Sequence, residues 1–347
     1  MIDRILVALD GSPLAEQALP AAAGLAKKTG AEIVLLTAIA PMERWANSST
    51  PVWEREEDAL AHGYLDTVAR PLRDNGARVT TRVVWGRPAE TICRTAEEES
   101  ADLVLMTTHG RSGIRRYLIG SVADNVLRII DRPLLLLHVH DEAPGELHVR
   151  RVLVPLDGSA LAESVIPFAR RFAQAVGASI ILERVVVPPT FLYAEQYLPS
   201  AAPILEDLEA DAADYLDDVK PRIENEGVKV ITNVESGFPA ETIIDAAQRL
   251  AADVIALTTH GRTGAARTLL GSVADGVVRN AGRPCLVIPA RVTAVPQEES
   301  ELKAPSMLGI EPAPTVVPPP EMTETGAQKR PRPKAPAVRP GRPERKP

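Results

Sequence analysis

Aromatic residues are nearly missing from this chain: Phe, Trp and Tyr make up 3% of its 347 residues. Its core therefore has to be aliphatic, built from Ala, Val, Leu and Ile rather than from large rings. Cysteine is as scarce. Cys93 and Cys285 are the only two, and they form neither a disulfide framework nor a metal-ligand spacing, which points to a reducing, cytoplasmic setting. No apolar run approaches the roughly 18 residues that a membrane span needs. Asp3 and Arg4 stand in the first apolar segment, so no signal peptide is expected. There is no excess of positive charge either: 39 Lys and Arg face 46 Asp and Glu, for a net charge of −7. That balance argues against wholesale nucleic-acid binding. The chain has no Walker lysine, no aspartate pair for two metals, and no His/Cys/Asp cluster at ligand spacing. Neither fast phosphoryl transfer nor a metal centre made by the protein alone is expected.

What the chain does have is a repeat. Val7-Ala8-Leu9-Asp10-Gly11-Ser12 returns as Val154-Pro155-Leu156-Asp157-Gly158-Ser159. Thr107-Thr108-His109-Gly110-Arg111-Ser112-Gly113 returns as Thr258-Thr259-His260-Gly261-Arg262-Thr263-Gly264, and Gly120-Ser121-Val122-Ala123-Asp124 as Gly271-Ser272-Val273-Ala274-Asp275. Asp10 and Asp157 are 147 residues apart, whereas Gly110 and Gly261 are 151 apart, a drift that small loop insertions explain. A chain of this length suits two domains of roughly 150 residues. The expected division is a first domain over 1–140, a linker over 141–148, a second domain over 149–291 and a tail over 292–347. The tail is rich in Pro, Arg and Lys, has too little apolar content to fold, and reads as a solvated, disordered segment.

Within each copy apolar runs alternate with amphipathic ones. Ile5–Leu9 reads as a strand buried on both faces. Ser12 is placed to cap the following helix and Pro13 suits its first turn. Pro20, matched by Pro167, falls inside this helical pattern and predicts a kink. Strands near Ile33–Leu36, Val79–Val84, Leu103–Met106 and Leu134–Val139 are separated by helical crossovers, which implies a mainly parallel sheet with right-handed connections. The fold class expected is α/β: two tandem Rossmann-like, doubly wound domains, each a five-stranded parallel sheet flanked by helices. The last strand of each copy would leave an exposed edge, so pairing of Leu134–Val139 with Leu286–Ile288 about a pseudo-two-fold axis is expected.

The most alike segments are strand-to-helix turns, where an open α/β sheet holds its ligands. Gly110-x9-Gly120-Ser121 and Gly261-x9-Gly271-Ser272 combine a glycine leaving a strand with a helix start, whose amides and dipole suit an anion. Ser121 could add its hydroxyl and cap the helix, and Arg111 or Arg262 could bring positive charge. In a doubly wound sheet the first and fourth strands are neighbours, which brings Asp10 beside the Thr107-to-Gly110 turn. A carboxylate there can accept from a ribose hydroxyl, and the backbone near Ala38 could face an adenine edge. Asp10 as a plain turn residue is the competing reading. His109 and His260 precede the glycines, where a structural role is favoured over catalysis.

These residues resemble the universal stress protein family, whose nucleotide motif is Gly-x2-Gly-x9-Gly-Ser/Thr after the fourth strand, with an Asp ending the first. The likeness covers about 1–140 and 149–290. It implies ATP binding, with Mg2+ accompanying the nucleotide. Carried over, Asp10 and Asp157 would meet the ribose, and Ala38 and Val185 the adenine through their backbone. Gly110, Gly120, Ser121 and Val122 would hold phosphates, as would Gly261, Gly271, Ser272 and Val273. One departure stands in both copies: the first motif glycine is Thr107 or Thr258, whose side chain could crowd the ribose or hydrogen-bond to it. Two nucleotide sites are expected. The function so implied is an ATP-dependent stress-response regulator, not an enzyme beyond slow ATP hydrolysis. It would act on a regulatory protein partner, with an intramolecular pseudo-dimer of the two domains, a homodimer left open, and no membrane role. A protein-interaction scaffold of the same fold that binds no nucleotide is the alternative, favoured by the two threonines. A related hydrolase or a flavoprotein lacks a catalytic pair to support it.

Overall fold

The computed structural model describes residues 2–41, 51–108, 119–138, 145–188, 202–259 and 271–289. In the first half the elements run β1 (Arg4–Leu9), α1 (Pro13–Glu16), α2 (Ala18–Thr29), β2 (Glu32–Ile39), α3 (Pro51–Asp74), β3 (Val79–Trp85), α4 (Pro88–Glu98), β4 (Leu103–Thr107), α5 (Ser121–Ile129) and β5 (Leu134–Leu137). The second half repeats them. Its elements are β6 (Arg151–Pro155), α6 (Ala160–Glu163), α7 (Ile166–Val176), β7 (Ser179–Val186), α8 (Ala202–Val219), α9 (Pro221–Glu224), β8 (Val230–Ser236), α10 (Pro239–Arg249), β9 (Val254–Thr259), α11 (Ser272–Asn280) and β10 (Cys285–Pro289).

Among the described residues the strands form one ten-stranded sheet in the order β3-β2-β1-β4-β5-β10-β9-β6-β7-β8. Every pairing within a half is parallel. The seam between halves is antiparallel: Cys285, Leu286 and Val287 of β10 lie opposite Leu136, Leu135 and Leu134 of β5. Two strand edges that would each have faced water with unpaired amides satisfy one another. The two five-stranded sheets expected from the sequence are thus halves of a single sheet.

Burial follows the alternation of side chains along the strands. Ile5, Val7, Leu9, Ile33 and Leu35 point to one face, where they meet α2 and α3 through Ala22, Leu25, Leu65 and Ala69. Leu6, Ala8, Leu36, Val104 and Met106 point to the other, against Ile92 and Ala96 of α4 and Val126 and Leu127 of α5. Each core continues into the second half. The large side chains in them are aliphatic apart from Phe168 and Phe172.

Two local expectations need correcting. The helix after β1 is not kinked at Pro20 but interrupted before it. It splits into α1 and α2 at Gln17, and Pro20 falls in the first turn of α2. The absent proline N–H is one that a helix start leaves without an intrahelical acceptor anyway, so the proline costs little. Pro167 occupies the first turn of α7 for the same reason. At α5 the capping residue is Gly120, not Ser121, which is the first helical residue. Gly271 and Ser272 repeat this at α11.

Candidate functional site

The turn after β1 is built by its own carboxylate. Asp10 Oδ1 accepts from the Ser12 amide at 3.0 Å and from the Ser12 hydroxyl at 2.6 Å. Ser12 Oγ in turn accepts from the Ala15 amide at 3.2 Å and so caps α1. Gly11 between them has φ +80°, a left-handed conformation that costs glycine nothing. The second half copies each bond: Ser159 donates to Asp157 Oδ1 from its amide at 2.9 Å and its hydroxyl at 2.5 Å, and Ala162 donates to Ser159 Oγ at 3.1 Å. Asp10 is therefore a turn residue, as its competing reading had it. That role occupies Oδ1 and orients the carboxyl group at the end of β1.

β1 pairs with β4, Val7 standing opposite Leu105. This puts Asp10 at the same sheet edge as Thr107 and Thr108, both buried. The Gly120 amide donates to the Thr108 carbonyl at 2.7 Å, fastening the start of α5 to the end of β4. That amide is spent on the protein, contrary to the expectation that it faces an anion. The first intrahelical bond of α5 runs from the Asp124 amide to Gly120 O at 2.9 Å. The amides of Ser121, Val122 and Ala123 hence lack intrahelical acceptors, and the positive end of the helix dipole lies with them. His109, Gly110 and Arg111 fall outside the described residues, as do His260, Gly261 and Arg262.

A cavity of about 730 Å3 opens at this edge. Asp10, Ala38, Thr107, Gly120, Ser121 and Val122 all line it. Its floor is apolar, made by Leu36, Ile92, Met106 and Ala123. Tyr64, Glu57 and Leu60 close it from α3, and the Leu60 side chain is 73% exposed there. Sequence reasoning missed this α3 wall. The signal was present in Leu60-Ala61 and Tyr64, spaced at three and four residues along a helix otherwise crowded with charge. Among the described residues there is no group of three or more His, Cys, Asp or Glu placed to hold a metal ion. No described helix is long and apolar enough to cross a membrane.

In the second half the candidate residues occupy matching places in the fold. Asp157 opens the turn after β6, and Val185 lies in β7. Thr258 lies in β9, and Gly271 and Ser272 begin α11. Val273 is partly exposed, as Val122 is. The surroundings differ. The Thr258 hydroxyl donates to Leu161 O at 3.1 Å. The carboxyl of Asp157 lies below the usual carboxylate range: burial works against this, but the two Ser159 hydrogen bonds and the charge of Arg184 outweigh it. Beside Arg184, Glu183 is wholly buried. Its Oε2 accepts from Asn233 Nδ2 at 2.6 Å. Burial, reinforced by the charge of Glu235, pushes its carboxyl up to about 7 against the pull of Asn233 and Arg249.

Known proteins are similar to this chain. A universal stress protein of Mycolicibacterium smegmatis is 27% identical over 301 residues, covering 83% of this chain and 97% of its own length. The universal stress protein MJ0531 of Methanocaldococcus jannaschii is 36% identical over 148 residues, 42% of this chain and 84% of that protein. The crystal structure of a universal stress protein from Archaeoglobus fulgidus matches with a TM-score of 0.65, over 84% of this chain and 99% of that one, at 22% identity; this likeness bears on the fold alone. The sequence pattern of the universal stress protein family matches twice, over residues 1–138 and 148–289; the chain belongs to that family, in tandem.

Proposed function

We propose that the first half binds ATP in the cavity at the ends of β1 and β4, and that its occupancy is the state this protein reports in a stress response. The observation that carries this reading is the convergence of Asp10, Ala38, Thr107, Gly120, Ser121 and Val122 on one cavity of about 730 Å3, a size within the range of small-molecule and cofactor sites. Turn chemistry and family resemblance point to these same residues.

The chain's own groups fit a nucleotide. The amides of Ser121, Val122 and Ala123, at the positive end of α5, suit phosphate oxygens. The Asp10 carboxylate, held by Ser12, suits a ribose hydroxyl. The apolar floor of Leu36, Ile92 and Met106 suits the face of a base, with the backbone of Ala38 at its edge. Magnesium would enter with the triphosphate and be held mainly by its oxygens. The role is binding rather than turnover, with ATP favouring one conformation or partner over another.

Titration of the full chain with ATP and magnesium in a calorimeter tests the proposal. Saturable binding is expected. Absence of heat at millimolar ATP would reject it and favour the scaffold that acts without a nucleotide.

A further inference from the structure

The two halves share their glycine-serine motif yet differ at two consecutive positions of the second strand in each. Counting from the aspartate of each turn, Leu36 and Thr37 in β2 correspond to Glu183 and Arg184 in β7. In the first half Thr37 lines the cavity with Asp10, Gly11 and Tyr64. Tyr64 of α3 corresponds to Tyr215 of α8, each followed by Leu-Asp.

In the second half the counterparts of these four residues are joined to one another. Arg184 Nη1 donates to Leu156 O at 3.3 Å. The same nitrogen lies 3.3 Å from where a Cβ on Gly158 would stand. The guanidinium carbon is 5.5 Å from the centre of the Tyr215 ring, within the range of a cation–π contact. Tyr215 is itself anchored, its hydroxyl donating to Glu163 Oε1 at 3.0 Å, while Glu163 Oε2 pairs with Arg222 at 2.7 Å. The arginine thus bridges the Asp157-Gly158 turn and α8 where the first half has an open cavity. On the opposite face of the strand, Glu183 replaces a leucine of the cavity floor with a buried carboxyl whose Oε1 has no hydrogen-bond partner among the described residues. A base seated there would meet a polar group in place of an apolar one.

We infer that Arg184 closes the second half to the nucleotide, so that each chain takes one ATP, in the first half. This rests on the nucleotide reading of the first-half cavity. Entry of a ribose would require Arg184 to give up the aromatic face of Tyr215 and its place on the turn. It would also have to displace a guanidinium from beside Asp157, the carboxylate the ribose needs. Threonine at position 37 imposes neither requirement.

The experiment is the stoichiometry of ATP binding by calorimetry in the full chain, with magnesium present. The wild type, Val122→Glu, Arg184→Thr and the double variant are compared, each with its melting temperature recorded. The wild type is expected to bind one ATP, Val122→Glu to bind it about tenfold more weakly or worse, Arg184→Thr to bind two, and the double variant to keep one tight site. A wild type that binds two overturns the closure while leaving the first-half reading intact; a wild type that binds one and a Val122→Glu chain that keeps that site at wild-type affinity place the nucleotide outside the first half and overturn both. If Arg184→Thr folds and still binds one, Arg184 is not the determinant. If it does not fold, the Val122→Glu titration decides. A wild type that binds none overturns both readings.

Discussion

Arg279 of the second half reaches across the molecule to Asp124 of the first, Nη2 to Oδ1 at 2.6 Å. Asp124 also accepts from Arg128 on its own helix at 2.9 Å, and Arg279 also holds Asp275 on its own helix. Both carboxylates sit one turn into the helices whose first residues are Ser121 and Ser272. The candidate phosphate-binding helix ends are therefore tied across the seam by a charged network, only partly exposed.

Breaking that tie should cost stability in a coupled way. Burial raises the Asp124 carboxyl, but its hydrogen bonds to Arg128 and Arg279 and their charges more than reverse this, so its pKa is lowered on folding. A group with a lowered folded pKa stabilises above its unfolded value and loses that contribution as pH falls. A double-mutant cycle of Asp124→Ala with Arg279→Ala should give a coupling of about 1 kcal/mol at neutral pH, fading below about pH 4. A coupling near zero at neutral pH in low salt would show that the halves are held by the β5–β10 seam and their shared cores alone.

Glu183 predicts the opposite pH dependence. Its carboxyl is raised from 4.5 to about 7, chiefly by burial. The folded state then holds a proton that the unfolded state has released. Stability is fullest below the unfolded pKa and declines as pH rises through the folded one. Glu183→Gln, which keeps an acceptor for Asn233 without the charge, should stabilise the protein by on the order of 2 kcal/mol near pH 8. The gain should vanish below about pH 5. Denaturant unfolding at several pH values measures it. A gain that does not vary with pH would mean that folding leaves the pKa of this carboxyl unshifted.

Val122→Glu separates binding from folding. The Val122 side chain is 36% exposed in the first turn of α5, where a glutamate favours the helix dipole. Its melting temperature should stay within a few degrees of wild type. A carboxylate beside the phosphate position should weaken ATP binding about tenfold or more, since about 1.4 kcal/mol of repulsion suffices. Undiminished affinity would remove the phosphate from this helix end.

Much of this was legible in turn chemistry. Asp10-Gly11-Ser12 announced a capped helix start, and the alternation of strands and helices put β1 beside β4, which is what brings Asp10 to the Thr107 edge. The seam was also legible, because Leu134–Leu137 and Cys285–Pro289 are too apolar to be left as open edges. What escaped was set by tertiary packing. Whether Gly120 or Ser121 caps α5 depends on where Thr108 draws the Gly120 amide. The α3 wall with Tyr64 depends on how a long, charged helix lies on the sheet. The difference between halves was written in Leu36-Thr37 against Glu183-Arg184, but its meaning needed Tyr215, some thirty residues further along the chain, to be brought against Arg184.

The most direct test of the nucleotide site is a crystal structure of the full chain grown with ATP and magnesium. The account predicts a triphosphate against the amides of Ser121, Val122 and Ala123, with its ribose beside Asp10 and its base along Ala38. Density for the nucleotide anywhere else, or a first-half cavity filled by the protein's own side chains, would contradict it.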